Sequence, residues 1–256
     1  MNRRIIKALM LCMVISAMMA ATVFASTKSN VYDTPTINGK RYSFTSDVWD
    51  RWVGSPNATA EAVANIKSNS GNVPAGYMGG HARLFTSSGT LWSSAAITYN
   101  TSSVSNHYNH SSPTNTAGLY YAQCRAFFYN GNGYDEYTGY QSPVLTLAPT
   151  SNLTYSSDHT LTEIKSRTAY EKNENGETFG SALSAETIGH EPDLIAAIGT
   201  NGVEGYVRSS DFDTGVTSPE EAIAYMNSII DSIAIPLYDV NGSTVLGEFV
   251  IERSTK

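Results

Sequence analysis

The chain has 256 residues, of which 41% are hydrophobic, 11% aromatic and 15% charged, with a formal net charge of −7. That balance, with no basic stripe anywhere, excludes a nucleic-acid-binding surface. The two cysteines, Cys12 and Cys124, exclude a disulfide-stapled scaffold.

The chain opens with Arg3, Arg4 and Lys7, followed by an uncharged, largely apolar run over 8–23 and by Val23-Phe24-Ala25. Small residues at Val23 and Ala25 fit the positions that signal peptidase inspects, so residues 1–25 read as a cleavable secretory leader. The run is shorter than the roughly 20 residues needed to cross a bilayer, and no later segment is apolar enough to span one. With Cys12 removed by that cleavage, Cys124 has no partner for an internal disulfide. An exported chain without a disulfide fits a bacterial source, most simply a Gram-positive one. The expected localisation is secreted, with no membrane span after cleavage.

Charge then divides the mature chain. Residues 26–157 hold seven Lys and Arg against six Asp and Glu, whereas residues 158–256 hold six against seventeen. Such asymmetry marks two units with different surfaces.

The first unit, over 31–147, contains 11 of the 16 tyrosines and is rich in Ser, Thr and Asn. Residues 59–67 fit a short helix. Residues 82–85 and 90–100, the latter with Leu91, Ala95, Ile97 and Tyr99 in alternation, flank a turn at Ser88-Gly89. The clearest strand covers 119–129. Its apolar face carries Tyr120, Ala122, Cys124, Ala126 and Phe128, and its other face carries Tyr121, Gln123, Arg125, Phe127 and Tyr129. Asn130-Gly131-Asn132-Gly133 suits a tight turn, with a return strand over 134–140. Short strands separated by polar turns predict a β-sandwich.

Residues 148–158 have the composition of a linker. The second unit, over 159–256, is expected to be a small acidic α+β domain. Residues 161–171 and 177–182 flank Asn175-Gly176, 194–199 and 203–208 flank Asn201-Gly202, and 235–238 and 245–251 flank Asn241-Gly242 as hairpins. Ser218-Pro219-Glu220-Glu221 is a helix start, in which serine caps, proline suits the first position and glutamate reaches back. Ile223, Met226, Ile229, Ile230 and Ile233 then share one helical face. The fold class is therefore mainly β with α+β, a β-sandwich-like domain followed by a small α+β domain.

The segment Glu191-Pro-Asp-Leu-Ile-Ala-Ala-Ile-Gly-Thr-Asn-Gly-Val-Glu-Gly-Tyr-Val-Arg208, together with Ser218-Pro-Glu-Glu-Ala222 and Ile235-Pro-Leu-Tyr-Asp-Val-Asn-Gly242, resembles a module of exported Gram-positive proteins. Similar modules follow the metallopeptidase domain of some β-lactam-sensor-type proteins. The resemblance covers about 160–256 and implies no chemistry, since the peptidase's His-Glu-x-x-His is absent. Val73-Pro-Ala-Gly-Tyr-Met-Gly79 and Tyr137-Thr-Gly-Tyr-Gln-Ser-Pro143 look like parts of small secreted β-sandwich proteins of the same bacteria. Ser105-Asn-His-Tyr-Asn-His110 is similar to a short stretch of lactococcin-972-type bacteriocins.

Catalytic and cofactor motifs are lacking. There is no Gly-x-Ser-x-Gly, and Gly131-Asn-Gly133 precedes no helix as a dinucleotide loop would. His107 and His110 form His-x-x-His without a fixed third ligand. Asp211, Asp213 and Glu220 or Glu221 approach a calcium loop, but Gly215 falls one place early and Pro219 intrudes. We therefore assign no catalytic residue, metal or cofactor. The expected binding surface is the second face of the 119–140 hairpin: Tyr121, Arg125, Phe127, Tyr129, Tyr134 and Tyr140, whose amphipathic rings suit a glycan or a protein. The function expected is a non-enzymatic binding protein at or outside the cell envelope, with a cell-wall glycan or a surface protein as partner. The alternatives are a bacteriocin-like effector and a hydrolase using acidic residues.

Overall fold

A computed structural model describes residues 26–52, 55–147, 158–229 and 231–253. The expected leader and positions 148–157 of the expected linker lie outside them. Strands dominate the described residues, as a mainly β class with α+β requires, and they form three sheets.

The first sheet is built on a long antiparallel pair, Tyr42–Arg51 with Thr59–Ser68, in register from Tyr42↔Ser68 to Arg51↔Thr59. Asn106–His110 extends it on one side, and the short strands Thr27–Lys28 and Tyr32–Asp33 on the other. The helix expected over 59–67 is thus a strand. Alanine, glutamate and lysine favour helix locally, but Ala60, Ala62, Ala64 and Ile66 alternate with period two and all enter the core. Burial on a paired sheet overrides a propensity difference of a few tenths of a kcal/mol per residue.

Three segments cross over this sheet, and each breaks at the same level. Met78–His81 and Arg83–Thr86 meet at Ala82, Leu91–Ala95 and Thr98–Tyr99 at Ala96 and Ile97, and Gly118–Ala122 and Arg125–Tyr129 at Gln123 and Cys124. One half of each joins a four-stranded sheet completed by Tyr134–Thr138, and the other half joins a ten-stranded sheet. The continuous strands expected over 90–100 and 119–129 are therefore each two strands. Side chains from the first sheet occupy the backbone groups that the breaks release, as burial demands. Asn109 is the plug: its Oδ1 accepts from Ala82 N–H at 2.6 Å, and its Nδ2 donates to Ala96 O at 2.9 Å and Thr98 Oγ1 at 2.8 Å. Ser46 Oγ accepts from Cys124 N–H at 2.9 Å.

The alternation survives the breaks. Tyr120, Ala122 and Cys124 pack with Val48, Ala60, Ala62 and Leu84, while Ala126 and Phe128 pack with Tyr42, Phe44, Ile66 and Met78. Tyr42 stacks on Phe128 with ring centroids 4.2 Å apart. These two clusters are the interior of a sandwich.

The ten-stranded sheet runs through residues of both expected units. Leu194–Ile198, Glu204–Arg208, Ser232–Tyr238 and Val245–Glu252 are successive antiparallel neighbours. Leu91–Ala95 then pairs in parallel with both ends of that series, Ala197↔Leu91 and Ile251↔Ser94, so five strands close into a ring. Phe85 and Leu91 from the first unit are buried beside Ile195, Val207, Leu237 and Phe249 inside it. The strands on the two sides of 148–158 are hydrogen-bonded into one sheet and share one core.

The second half departs from expectation at two places. The first part of 161–171 is helical, within Asp158–Ser166, and only Glu171–Lys172 pairs across the turn with Thr178–Gly180. The helix begun at Ser218 spans Pro219–Ser228 and ends sooner than its apolar period suggests, because Ile229 is already extended and Ile233 lies in the next strand. Its cap follows the expected chemistry with one shift. Ser218 Oγ accepts from Glu221 N–H at 3.2 Å, but Glu221 reaches back to Thr217, whose N–H and hydroxyl donate to it at 2.8 Å each.

Candidate functional site

The hairpin's second face is not an open platform. The helix Pro219–Ser228 lies over it, with Ala222, Tyr225 and Met226 against Ile97, Tyr99 and Phe127. Tyr121 is 5% exposed and Phe127 7%. Tyr129 and Tyr134 are half-buried, next to Tyr77 and Tyr99 respectively, and the Tyr134 hydroxyl donates to Gly76 O at 2.5 Å. Gly76 marks how closely the helix approaches, since a Cβ there would stand 2.7 Å from the Pro219 backbone. Of the six expected residues, only Arg125 and Tyr140 reach a common opening. Tyr140 is 39% exposed, whereas Arg125 lines the opening with a side chain that is only 6% exposed.

That opening is a cleft of about 610 Å³ at the edge of the four-stranded sheet, where Tyr134–Thr138 is the outermost strand. One wall is aromatic. Tyr32 stands at the centre, with ring centroids 5.6 Å from Tyr137 and 5.5 Å from Tyr140, and it is backed by Phe44 at 5.1 Å. The other wall comes from the second half of the chain. The turn of helix Ala185–Ile188 supplies Glu186, Gly189 in a left-handed conformation (φ 93°) turns the chain, and Glu191 follows. The 3-10 helix Ser209–Phe212 then brings Ser209 and Ser210, with Asp213 at its end.

Charge converges on the floor. Arg125 Nε donates to Glu136 across the sheet, the guanidinium lies over the Phe127 ring at 5.2 Å, and Asp213 stands 4.0 Å away. Behind it Arg83, completely buried, donates to Gln123 O at 3.3 Å and pairs with Glu191 at 2.6 Å. Burial alone would raise the Glu191 carboxyl, but Arg83 and Arg125 outweigh it and hold the group below the ordinary glutamate value. For Arg125, burial is likewise outweighed by Glu191, Glu136 and Asp213, which keep the guanidinium charged. His81 lies in the same layer, its Nε2 2.7 Å from Ser94 Oγ. Burial, with Arg83 and Arg125 nearby, holds its imidazole well below the usual value.

The other candidates resolve differently. His107 and His110 sit on the strand Asn106–His110. His107 Nε2 donates to Thr98 O at 2.9 Å, and His110 Nδ1 stands 3.2 Å from Glu61, which also accepts from Arg51 Nε at 2.9 Å. Asp211 belongs to the 3-10 helix that Asp213 follows as C-cap, and Glu221 to the cap of the helix Pro219–Ser228. Among the described residues, no group of three or more His, Cys, Asp and Glu is arranged to hold a metal ion. Cys124 is buried, which pushes its thiol up to about 12, so it is a packing residue and not a nucleophile.

Sequence reasoning missed Tyr32, Tyr137, Glu186 and Glu191 as lining residues. Tyr137 alternates onto the inner face of its strand and reaches the cleft only because that strand is at the sheet edge. No local signal joins Tyr32 or Glu191 to the hairpin, for they meet it through tertiary contact alone. The cleft combines stacking rings, hydroxyls, carboxyls, the Arg125 guanidinium and the His190 imidazole, a set suited to holding a polar ligand. No family model, curated protein or solved structure matches the chain.

Proposed function

We propose that this is a secreted, non-enzymatic binding protein that acts at or outside the cell envelope of a Gram-positive bacterium, and that its cleft takes a cell-wall glycan. The observation that carries this reading is the facing of the Tyr32, Tyr137 and Tyr140 cluster against a wall of carboxyl and hydroxyl groups in one opening. A sugar ring has an apolar face that stacks on aromatic rings and an equator of hydroxyls that needs hydrogen-bond partners. The leader expected over 1–25 supports placement outside the cell.

The test is sedimentation of the purified protein with isolated cell walls, before and after Tyr140→Ala. An aromatic anchor at a contact centre is worth about 2 kcal/mol, roughly a thirtyfold loss of affinity. Tyr140 is partly exposed, so the variant should keep its melting temperature. Unchanged sedimentation of the variant, or none by the parent, would remove the glycan from this cleft. Release of new reducing ends from the bound wall would instead make the protein a hydrolase.

A further inference from the structure

The cleft is lined by four carboxyl groups, from Glu136, Glu186, Glu191 and Asp213, against one guanidinium, Arg125, and one imidazole, His190. Arg83 compensates Glu191 from behind, and Arg125 takes Glu136 directly. That leaves Glu186 and Asp213 with acceptor capacity toward the opening. Glu186 accepts one backbone N–H, from Gln141 at 2.9 Å, and Asp213 stands at the 4.0 Å limit of Arg125 with its side chain 68% exposed. In the same lining Tyr137 and Tyr140 pack on Tyr32 at inclinations of 50° and 43°, so the three rings form a corner rather than one flat platform. A neutral sugar needs only one flat ring and a mixture of donors and acceptors. Several inclined rings beside surplus carboxylates form a different arrangement, whose ring quadrupoles and charges both attract a cation.

We infer that the ligand of this cleft carries a protonated amine, and that the glycan it takes is an amino sugar with its nitrogen free rather than N-acetylated. The glycan scaffold rests on the function proposed above, whereas the ammonium rests only on the tyrosine corner and the carboxyls.

Calorimetric titration at physiological salt, with three probes, separates the two. The probes are a fully deacetylated glucosamine hexamer, its fully N-acetylated counterpart and hexalysine. The expected result is that the free-amine hexamer binds about tenfold or more tighter than the acetylated one, the scale of a desolvated cation–π contact plus an ion pair. Asp213→Asn and Tyr140→Ala should each erase that preference. Equal binding of the two hexamers, or preference for the acetylated one, overturns the ammonium and leaves the glycan standing. Binding of hexalysine alone, lost in Tyr140→Ala, keeps the ammonium and overturns the glycan. Binding that Tyr140→Ala does not weaken is general attraction of a cation to an acidic protein and overturns the inference, as does the absence of any binding.

Discussion

The two faces of the segment 118–128 are buried alike but behave as different materials in the structure. Toward the first sheet, Tyr120, Ala122, Cys124, Ala126 and Phe128 enter an apolar interior that alternation alone predicts. Toward the second half of the chain, Tyr121, Gln123, Arg125 and Phe127 are just as buried, but Gln123 and Arg125 lie beside His81, Arg83 and Glu191, while Phe127 packs under the helix. The first face is held by non-directional burial and tolerates approximate fit. The second depends on specific pairing of charges removed from water, so the loss of one partner is felt fully. The cleft lies where this polar layer reaches the surface.

Removing one side of the molecule altogether should do the most damage. Residues 158–256 expressed alone would lack Leu91, Phe85 and the strand that closes the five-stranded ring. We expect no cooperative unfolding transition from that fragment. A sharp transition would show that the ring does not need the first half.

Next come single substitutions on either face. Phe128→Ala should cost about 3–5 kcal/mol through a core cavity, and Arg83→Met a similar amount, about 3–5 kcal/mol, by leaving Glu191 buried without its ion-pair partner. The faces differ in rescue. Adding Glu191→Leu to Arg83→Met should recover most of the loss, because an apolar pair can replace a buried ion pair. If urea denaturation finds the double variant no better than the single one, the polar layer is more than an ion pair.

Docking of the helix on the polar face rests on Gly76. Its φ of +79° and its closeness to Pro219 mean that Gly76→Ala both strains the backbone and displaces the helix start. The expected cost is about 1–3 kcal/mol, with a rise in Tyr134 accessibility to nitration. No change in either would place the helix further from the sheet.

Acid should act first on two histidines, His81 in the polar face and His107 in the first sheet, where burial lowers the His107 imidazole to about 4. His81 stays neutral in the folded chain, while the unfolded chain takes up its proton below about pH 6.5. Stability therefore falls as pH drops from that point, by up to ~1.4 kcal/mol per pH unit for this group. Glu191, depressed below its ordinary 4.5, adds stability that is complete above that value and is lost as pH falls through its folded-state value. Urea midpoints from pH 7.5 to 4 would follow this course, and His81→Gln should flatten the upper part. An equal slope in parent and variant would assign the loss elsewhere.

The smallest effect is local. Ser218→Ala removes the oxygen that accepts from Glu221 N–H and should cost about 0.5–2 kcal/mol. Glu221 keeps its own contact to Thr217, so the helix should persist by circular dichroism.

Where the sequence dictated the outcome, short-range physics was sufficient. Period-two alternation set which side chains of 118–129 face the sandwich, Asn-Gly pairs placed the turns before Glu204–Arg208 and Val245–Glu252, and serine followed by proline began the helix at Pro219. What tertiary structure alone decided was everything that joins distant residues. The helical composition of 59–67 yielded to pairing along Tyr42–Arg51, because sheet burial outweighs local preference. Strands that look continuous were broken at one level, because Asn109 and Ser46 from another sheet satisfy the released backbone groups. The tyrosine-bearing face, amphipathic enough to pass for a binding surface, was covered by a helix a hundred residues away. Arg125 and Tyr140 remained at the opening only because Glu191, Asp213 and Tyr32 came to meet them. A pattern of residues states which faces prefer burial, but it does not state which partner will bury them.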